Sequence, residues 1–387
     1  VTTFKEPYAP YLKLVGISPW PKHALQGRDF NTYMNDRVVV SSGPYMFDYW
    51  RRNVEYGIKR NPNYWNAGKN DYPYLDRIKY RFLKDTNTLK IQLRTGEVDF
   101  ILAVPDTNLE EELKAFPRSK FQSIPGGYWE HFAFNTSRPA LKDRNVRKAI
   151  AHAIDRKQLA EVVLKGQTEP LHSTLLPQAS QYFSPTWEQY VYDEAKIKEY
   201  MKAAGYERQG KWWTKGGKPI KIVCKSTGGN ALRMKVAQLL QQAFKKNGIQ
   251  MEIALEDPAV FFGQSVVQGS YDVAVWAWSS TVLSDQTTLF ACDQIPSKAN
   301  GFEGSNNYRY CNKRVTELLY ESDRTPDVAE RAEMIKEIQR LMAEDVPLVP
   351  LYQRPETVAF SNDLHGVSNN PLGGVLWNIH EWWVADR

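Results

Sequence analysis

The stretch YDVAVWAWSS, residues 271 to 280, combines two tryptophans with a small polar ending. Successive side chains of a strand point to opposite faces, so Trp276 and Trp278 would share one face. A strand that only packs would usually carry valine, isoleucine or leucine at these positions. Aromatic residues make up 13% of the chain, which suits either a large core or a cleft that holds a ligand by ring faces. Composition alone does not choose between these two roles.

Familiar catalytic signatures are absent from the sequence. It has no G-x-S-x-G elbow, no G-x-x-x-x-G-K-[ST] loop, no H-E-x-x-H helix and no G-x-G-x-x-G turn. The six histidines lie far apart, which does not favour a metal site. Carboxylates are plentiful, but the sequence cannot place two of them at catalytic separation. We therefore predict a protein that is not an enzyme and that needs neither a cofactor nor a metal.

The charge of the chain is weakly basic and well mixed. Its 387 residues include 50 Lys and Arg against 44 Asp and Glu, a formal charge of +6, which does not favour nucleic acid as a partner. No apolar run reaches the roughly 18 residues that a membrane-spanning helix needs. We therefore predict a chain that does not itself span a membrane.

Two of the three cysteines, Cys292 and Cys311, flank a loop rich in turn-forming residues, CDQIPSKANGFEGSNNYRYC. A bridge closing a loop of this length would stabilise the fold by about 3 kcal/mol in the chain-entropy description. We predict this disulfide, with two unpaired thiols as the alternative. Cys224 lies in the predicted strand KIVCK and is expected to be a small buried residue.

The order of the predicted elements divides the chain in two. Residues 38 to 104 read as strands and turns with one helix, which is typical of a mixed α/β layer. From residue 131 strands and helices alternate, beginning with the short strand HFAFNT and one long helical stretch capped near Asp143, and this alternation implies parallel crossovers. The tail GVLWNIHEWWVADR is expected to be strand-like. We predict lobe I from residues 1–130 plus 355–387 and lobe II from residues 131–354, joined by two crossings that could form a hinge.

Five separated motifs resemble bacterial solute-binding proteins of family 5, the peptide- and nickel-type binding components of ABC transporters. In chain order they are SSGPYMFDYWRRNVEYGIKRNPNYW, YLDRIKYRFLKDTNTLKIQLRTGEVDF, FAFNTSRPALKDRNVRKAIAHAIDRKQL, GIQMEIALED with QGSYDVAVWAW, and RAEMIKEIQRLMAEDVPLVPLYQR. The resemblance spans nearly the whole chain. It implies an α/β fold like that of the type II periplasmic binding proteins, with two lobes of mixed sheets joined by a hinge. It also implies that a substantial N-terminal portion normally precedes FKEPYAPYLKLVGISPWPKHAL.

The resemblance further implies a function outside the cytoplasm. We expect a periplasmic or extracellular monomer that binds an oligopeptide or oligosaccharide in a cleft between its lobes and delivers it to the permease subunits of an ABC importer. Membrane contact would come only through the transporter or through a lipid anchor in the missing N-terminal portion. One alternative is a carbohydrate-active hydrolase, which would need two carboxyl groups about 5 to 10 Å apart across a cleft. Another is a truncated remnant that binds nothing.

The resemblance points to the end of the tryptophan strand as the ligand site. Trp278 matches a family tryptophan that walls the pocket, and the strand is expected to pair with an extended ligand. The residues expected to bind the ligand are Tyr128, Trp129, His172, Asn230, Trp276, Ala277, Trp278, Ser279, Ser280 and Thr281. Peptide-binding relatives carry an aspartate where this chain has Thr281, and some carry an arginine where it has Val275. These departures favour a neutral ligand, because a buried charge without a partner is costly.

Overall fold

The chain builds two structural units and passes between them twice. The computed structural model describes residues 3–11, 20–33, 40–67, 72–83, 86–102, 112, 116–279, 286–370 and 373–385. The large unit contains the described residues of Val1–Leu14 and Gly127–Arg354. The small unit contains those of Val15–Gly126 and Pro355–Arg387.

The unit boundaries differ from the predicted lobe boundaries in two respects. The second crossing falls between residues 354 and 355, the predicted position, but the first falls between 126 and 127 rather than between 130 and 131. The N-terminal segment also packs with the large unit instead of lobe I. There the Ala9 amide donates to the Asp323 carbonyl at 2.6 Å, and Glu6 pairs with Arg324 at 3.0 Å. The sequence missed this because a short segment without periodicity carries no signal about its packing partner.

The strands are numbered β1 to β14 along the described chain. In order they are Tyr45–Arg51, Glu55–Arg60, Arg77–Arg81, Phe100–Ile101, Ser119–Phe134, Glu207–Gln209, Trp212–Lys215, Lys218–Pro219, Lys221–Thr227, Gln250–Glu256, Val273–Ser279, Leu348–Ser361, Leu364–His365 and Trp383–Val384. β5 and β12 are the strands that carry the chain across the unit boundaries.

The α-helices are numbered α1 to α11 in the same way. In order they are Lys22–Leu25, Phe30–Tyr33, Thr86–Thr95, Arg144–His152, Arg156–Leu164, Glu194–Ala203, Ala231–Lys246, Pro258–Val260, Thr287–Phe290, Lys313–Arg324 and Val328–Asp345. The long helical stretch predicted after Asp143 is two helices. Asp143 caps α4 by accepting the Asn145 amide, and Asp155 caps α5 by accepting the Gln158 amide. The prediction was wrong because a second capping aspartate inside the stretch starts a new helix.

The sheet of the large unit has the strand order β10, β9, β11, β5, β12. β10, β9 and β11 run parallel to one another, and β5 runs antiparallel to β11. Side chains from this sheet and its covering helices, such as Phe132, Val273 and Leu240, form the main buried core. Because the three parallel strands share a direction, their carboxyl ends meet at one end of the sheet, where α/β proteins commonly bind ligands. We call this end the strand edge, and it comprises residues 226–230, 255–257 and 277–279 together with the start of β5 within the large unit, residues 127–130.

The small unit contains the antiparallel meander β1, β2, β3 and a separate strand pair. The far end of β12 pairs with β4, with Ala359 opposite Ile101. Trp382 is buried beside Val358 in one of its two cores. The tail was expected to be strand-like, but its described residues contain only the two-residue strand β14 and a 3-10 turn. Its aromatic residues pack or lie exposed without forming a longer ladder.

A disulfide joins Cys292 to Cys311 in the large unit. Cys224 is fully buried in β9, and this burial raises the pKa of its thiol to about 12. None of the helices within the described ranges is long and apolar enough to cross a bilayer.

Candidate ligand-binding site

The tryptophan strand β11 becomes progressively exposed toward its carboxyl end. Residues 273 to 276 are buried, Ala277 and Trp278 are half-buried, and Ser279 is exposed. Every residue of β11 pairs with a residue of β5, so Trp278 lies opposite Trp129 and Ser279 lies opposite Tyr128. Strand pairing therefore brings the predicted residues of β5 and β11 together at the strand edge.

One side of β11 is open near this edge. β9 pairs with β11 only at Val273 and Ala274, and beyond them the Ser226 hydroxyl donates to the Val275 carbonyl at 2.8 Å. Over residues 277–279, the β9-facing backbone has no ladder partner among the described residues. Backbone N–H and C=O groups left in this way can form hydrogen bonds to an extended ligand.

Trp276 belongs to the core, which corrects the prediction that it contacts the ligand. Its side chain is 1% exposed. Its ring stacks on Tyr308 at 5.7 Å between ring centroids and meets His131 edge-on at 4.6 Å. Trp129 is corrected for the same reason, since it is also 1% exposed and packs against His131. The alternation of side chains was read correctly, but the segment that carries Tyr308 covers this face of the sheet.

Trp278 is half-buried, and a hydrogen bond to the buried Tyr308 fixes the orientation of its indole. Its Nε1 donates to the Tyr308 hydroxyl at 2.9 Å, and that hydroxyl lies 3.0 Å from His131 Nε2. Tyr308 is itself held between the rings of Trp276 and Phe290, at 5.7 and 5.5 Å. A buried tyrosine sandwiched in this way gives the Trp278 indole a rigid support.

This support is uncharged near neutral pH. Burial, together with the nearby charge of Arg233, holds the pKa of His131 well below its ordinary value of 6.5. Burial also raises the pKa of the Tyr308 hydroxyl well above 10.0. Trp278 is therefore positioned by neutral hydrogen bonds, which are less sensitive to salt than an ion pair would be.

The opposite face of the same strands carries a charged cluster that the sequence did not reveal. Glu130 is fully buried, and both of its oxygens accept hydrogen bonds from Arg233 at 3.0 to 3.2 Å. Arg354 Nε lies 3.6 Å from the same carboxylate, and the Arg354 guanidinium lies 5.7 Å from the ring centroid of Tyr128. The three charged residues are far apart in sequence, so only the fold could bring them together.

Comparison with known proteins identifies the family. The profile of the bacterial extracellular solute-binding proteins, family 5 Middle, matches residues 1–294. The chain belongs to this family. Among curated relatives, the oligopeptide-binding protein AppA of Bacillus subtilis is 26% identical over 358 residues, covering 91% of this chain and 63% of AppA. The glutathione-binding protein GsiB of Escherichia coli K12 is 26% identical over 381 residues, covering 94% of this chain and 68% of GsiB.

Solved structures share the fold of this family 5 protein. AppA of Bacillus subtilis, in complex with a nonapeptide, superposes with a TM-score of 0.74 at 25% identity, over 89% of this chain and 66% of that one. NikZ of Campylobacter jejuni, in complex with Ni(L-His), gives a TM-score of 0.85 at 23% identity, over 98% and 76% of the two chains. The fold is that of the type II periplasmic binding proteins. The chain spans less than two thirds of the length of AppA.

Two further predicted residues of the family 5 protein, Asn230 and His172, lie away from Trp278 in sequence. Asn230 lies in the strand edge just after β9, and its side-chain oxygen caps α7 by accepting the backbone amide of Arg233 at 3.0 Å. His172 lies in a loop beside β12, where Pro170 bridges to Tyr352. Burial lowers the pKa of His172, and the charge of Arg156 lowers it further. Within the described residues, His172 makes no hydrogen bond or ring contact to Tyr128 or Trp278, so its role in binding stays a prediction.

The remaining predicted positions that the structure describes lie on one face of the paired strands β5 and β11. Tyr128 and Ser279 are both exposed and pair across the strands, on the face opposite to Trp278. Ala277 shares their face and is half-buried. Ser280 and Thr281 lie outside the described residues. Across the ranges that the structure covers, no three His, Cys, Asp or Glu side chains cluster as metal ligands.

Proposed function

We propose that this family 5 protein is the extracytoplasmic substrate-binding component of an ABC importer, and that it binds an oligopeptide or an oligosaccharide without catalysis. Its place is the periplasm or the outer surface of the cell, and its partners are the solute and the permease subunits of the transporter. Support for the class comes from the family profile and from the relatives named for oligopeptide and glutathione binding.

The observation that carries the proposal is the open side of β11 beside a rigid indole. Residues 277–279 have backbone groups that β9 does not pair, and Trp278 stands in the middle of them with its Nε1 held by Tyr308. Backbone pairing binds an extended chain without reading its side chains, and an indole face adds apolar contact with a peptide or a sugar ring. Backbone pairing and contact with an indole face both suit a solute made of repeated units, such as a peptide or an oligosaccharide.

The same site offers little to a hydrolase. Glu130, the carboxylate paired across from Ala277, is fully buried and is held on both oxygens by Arg233. A fully buried carboxylate whose two oxygens both accept hydrogen bonds from an arginine has no oxygen left to act on a substrate. Binding without turnover therefore fits these residues better than acid catalysis does.

Replacing Trp278 tests the proposal. Trp278→Ala should weaken solute binding by about 2 kcal/mol, because a central aromatic residue carries much of the energy of a binding surface. Binding would be measured by titration calorimetry against pools of tri- to pentapeptides and of neutral oligosaccharides. Trp212→Ala is the matched control, since Trp212 is also a half-buried strand tryptophan of the large unit but lies in the sheet of β6, β7 and β8.

Two results would overturn the proposed function. One is a wild-type protein that binds none of the peptides or sugars, and the other is a protein that converts one of them to product. Equal losses in Trp278→Ala and Trp212→Ala would instead remove Trp278 from the site.

A further inference from the structure

Arg354, at the end of the large unit, shares the single carboxylate of Glu130 with Arg233, so its positive charge is only partly offset among the described residues. We propose that Arg354 binds a carboxylate group of the solute. This inference rests on the proposed function and narrows it to solutes that carry such a group. It differs from the sequence expectation of a neutral ligand, which came from Thr281 and Val275 together with the neutral residues and aromatic rings around them.

The charge balance follows from one buried carboxylate and two guanidinium groups. Arg233 contacts both oxygens of Glu130 and donates through its remaining terminal nitrogen to Thr227 Oγ1 at 2.9 Å. Each of the three nitrogens of the Arg233 guanidinium thus donates a hydrogen bond, and Arg233 contacts both oxygens of Glu130. Arg354 Nε is 3.6 Å from Glu130, which is too long for a hydrogen bond. One negative charge faces two positive charges, so the cluster keeps a net positive charge.

The Arg354 guanidinium is accessible and oriented. Its side chain is 28% exposed and lies over the ring of Tyr128, which is 52% exposed. No described residue accepts a hydrogen bond from Arg354. A guanidinium presents its N–H donors in a planar fork that matches a carboxylate, and contact with an aromatic ring restricts the fork without cancelling its charge.

The position of Arg354 fits the site proposed for the solute. Tyr128, which supports the guanidinium, pairs with Ser279 at the exposed end of β11. Trp278 points to the other face of that strand. The arginine and the indole therefore contact different parts of a bound solute, so loss of one need not abolish binding through the other.

The carboxylate could belong to the C-terminus of a peptide or to an acidic sugar. The probes are a pool of tri- to pentapeptides with free C-termini, the same pool with C-terminal amides, oligogalacturonides of similar length, and their methyl esters. Affinities would be measured by titration calorimetry at low salt for wild type, Arg354→Gln and Arg354→Lys. Arg340→Gln is the matched control, because Arg340 is an exposed arginine of α11 that is ion-paired with Glu337.

We expect wild type to bind one carboxylate-bearing pool about 10- to 100-fold more tightly than its capped counterpart, the usual range for a hydrogen bond to a charged group. Arg354→Gln should remove this difference while leaving the affinity for the capped pool unchanged, and Arg354→Lys should retain part of it. Arg340→Gln should behave as wild type. The pool that shows the difference identifies the source of the carboxylate.

The inference and the proposed function can fail separately. If free and capped pools bind wild type equally, or if Arg354→Gln keeps the full difference, Arg354 is not a carboxylate site, although the solute-binding function stands. If no pool binds wild type at all, both the function and the inference are overturned. Circular dichroism checks that Arg354→Gln is folded like wild type. If Arg354→Gln is misfolded, Arg354→Lys provides the second substitution.

Discussion

Replacing Trp276 by alanine should destabilise the large unit strongly, although the neighbouring Trp278→Ala should not. Trp276 is 1% exposed and contacts the rings of Tyr308, His131 and Phe261. Truncating a buried tryptophan costs about 3 to 5 kcal/mol, because apolar burial is lost and a cavity remains. Removing the Trp276 side chain breaks no hydrogen bond, because its Nε1 has no acceptor among the described residues.

Trp278 should cost less, because it is half-buried and water can replace part of its surroundings. Its truncation removes one neutral hydrogen bond, to Tyr308, and part of an apolar contact, for a loss of about 1 to 2 kcal/mol. In a unit of this size each kcal/mol moves the melting temperature by roughly 2 to 4 °C. We therefore expect the melting temperature of Trp276→Ala to lie about 6 to 20 °C below that of wild type. The melting temperature of Trp278→Ala should fall by no more than about 8 °C.

The measurement is thermal unfolding followed by far-UV circular dichroism, with guanidinium unfolding as a second scale. Trp276→Phe is the control, because it keeps a ring in the core and removes the unpaired indole N–H. Its melting temperature should be well above that of Trp276→Ala. A Trp276→Ala variant that loses less than about 1 kcal/mol, or no more than Trp278→Ala, would refute the assignment of Trp276 to the core.

Two further predictions concern buried titratable groups. The pKa of His131 is held well below 6.5 in the folded protein. Below about pH 6.5 the unfolded chain therefore binds a proton that the folded chain does not. The free energy of unfolding should fall as the pH drops through this range, by at most about 1.4 kcal/mol per pH unit for this group. Guanidinium unfolding at pH 5 to 8 should show a shallower dependence in His131→Gln, and an unchanged slope would contradict the neutral buried histidine. For Cys224, whose pKa burial raises to about 12, a thiol reagent at pH 8 should label no native chain and one thiol per chain in denaturant without reductant. Rapid labelling of the native protein would show that Cys224 is accessible.

Sequence reasoning recovered the fold because local patterns and tertiary packing agree over most of the chain. Alternating strands and helices gave the parallel part of the large sheet, and the family motifs gave the type II periplasmic binding protein fold. The loop between Cys292 and Cys311 suggested the disulfide that the structure contains. The split of the helix at Asp155 was missed because a capping aspartate and a surface aspartate look alike in sequence.

The binding site was recovered only in part. Period-two alternation placed Trp276 and Trp278 on one face correctly, but it could not show that Tyr308, some thirty residues away, buries the first and supports the second. The Glu130 cluster was missed for a similar reason, since its arginines come from α7 and β12. The expectation of a neutral ligand considered the residues of the tryptophan strand and the positions where relatives carry charge. It had no means of finding a charge that reaches the strand edge from another strand.

The double crossing of the chain also orders events during synthesis. The long segment of the large unit, Gly127–Arg354, is contiguous and contains its own sheet and main core. The small unit is completed only by Pro355–Arg387, because Ala359 of β12 supplies the partner for Ile101 of β4. Domains tend to fold as units while the chain emerges from the ribosome. The large unit can therefore fold first, while β4 keeps an unpaired edge until β12 has been made, and during that interval the nascent chain is exposed to wrong strand pairing.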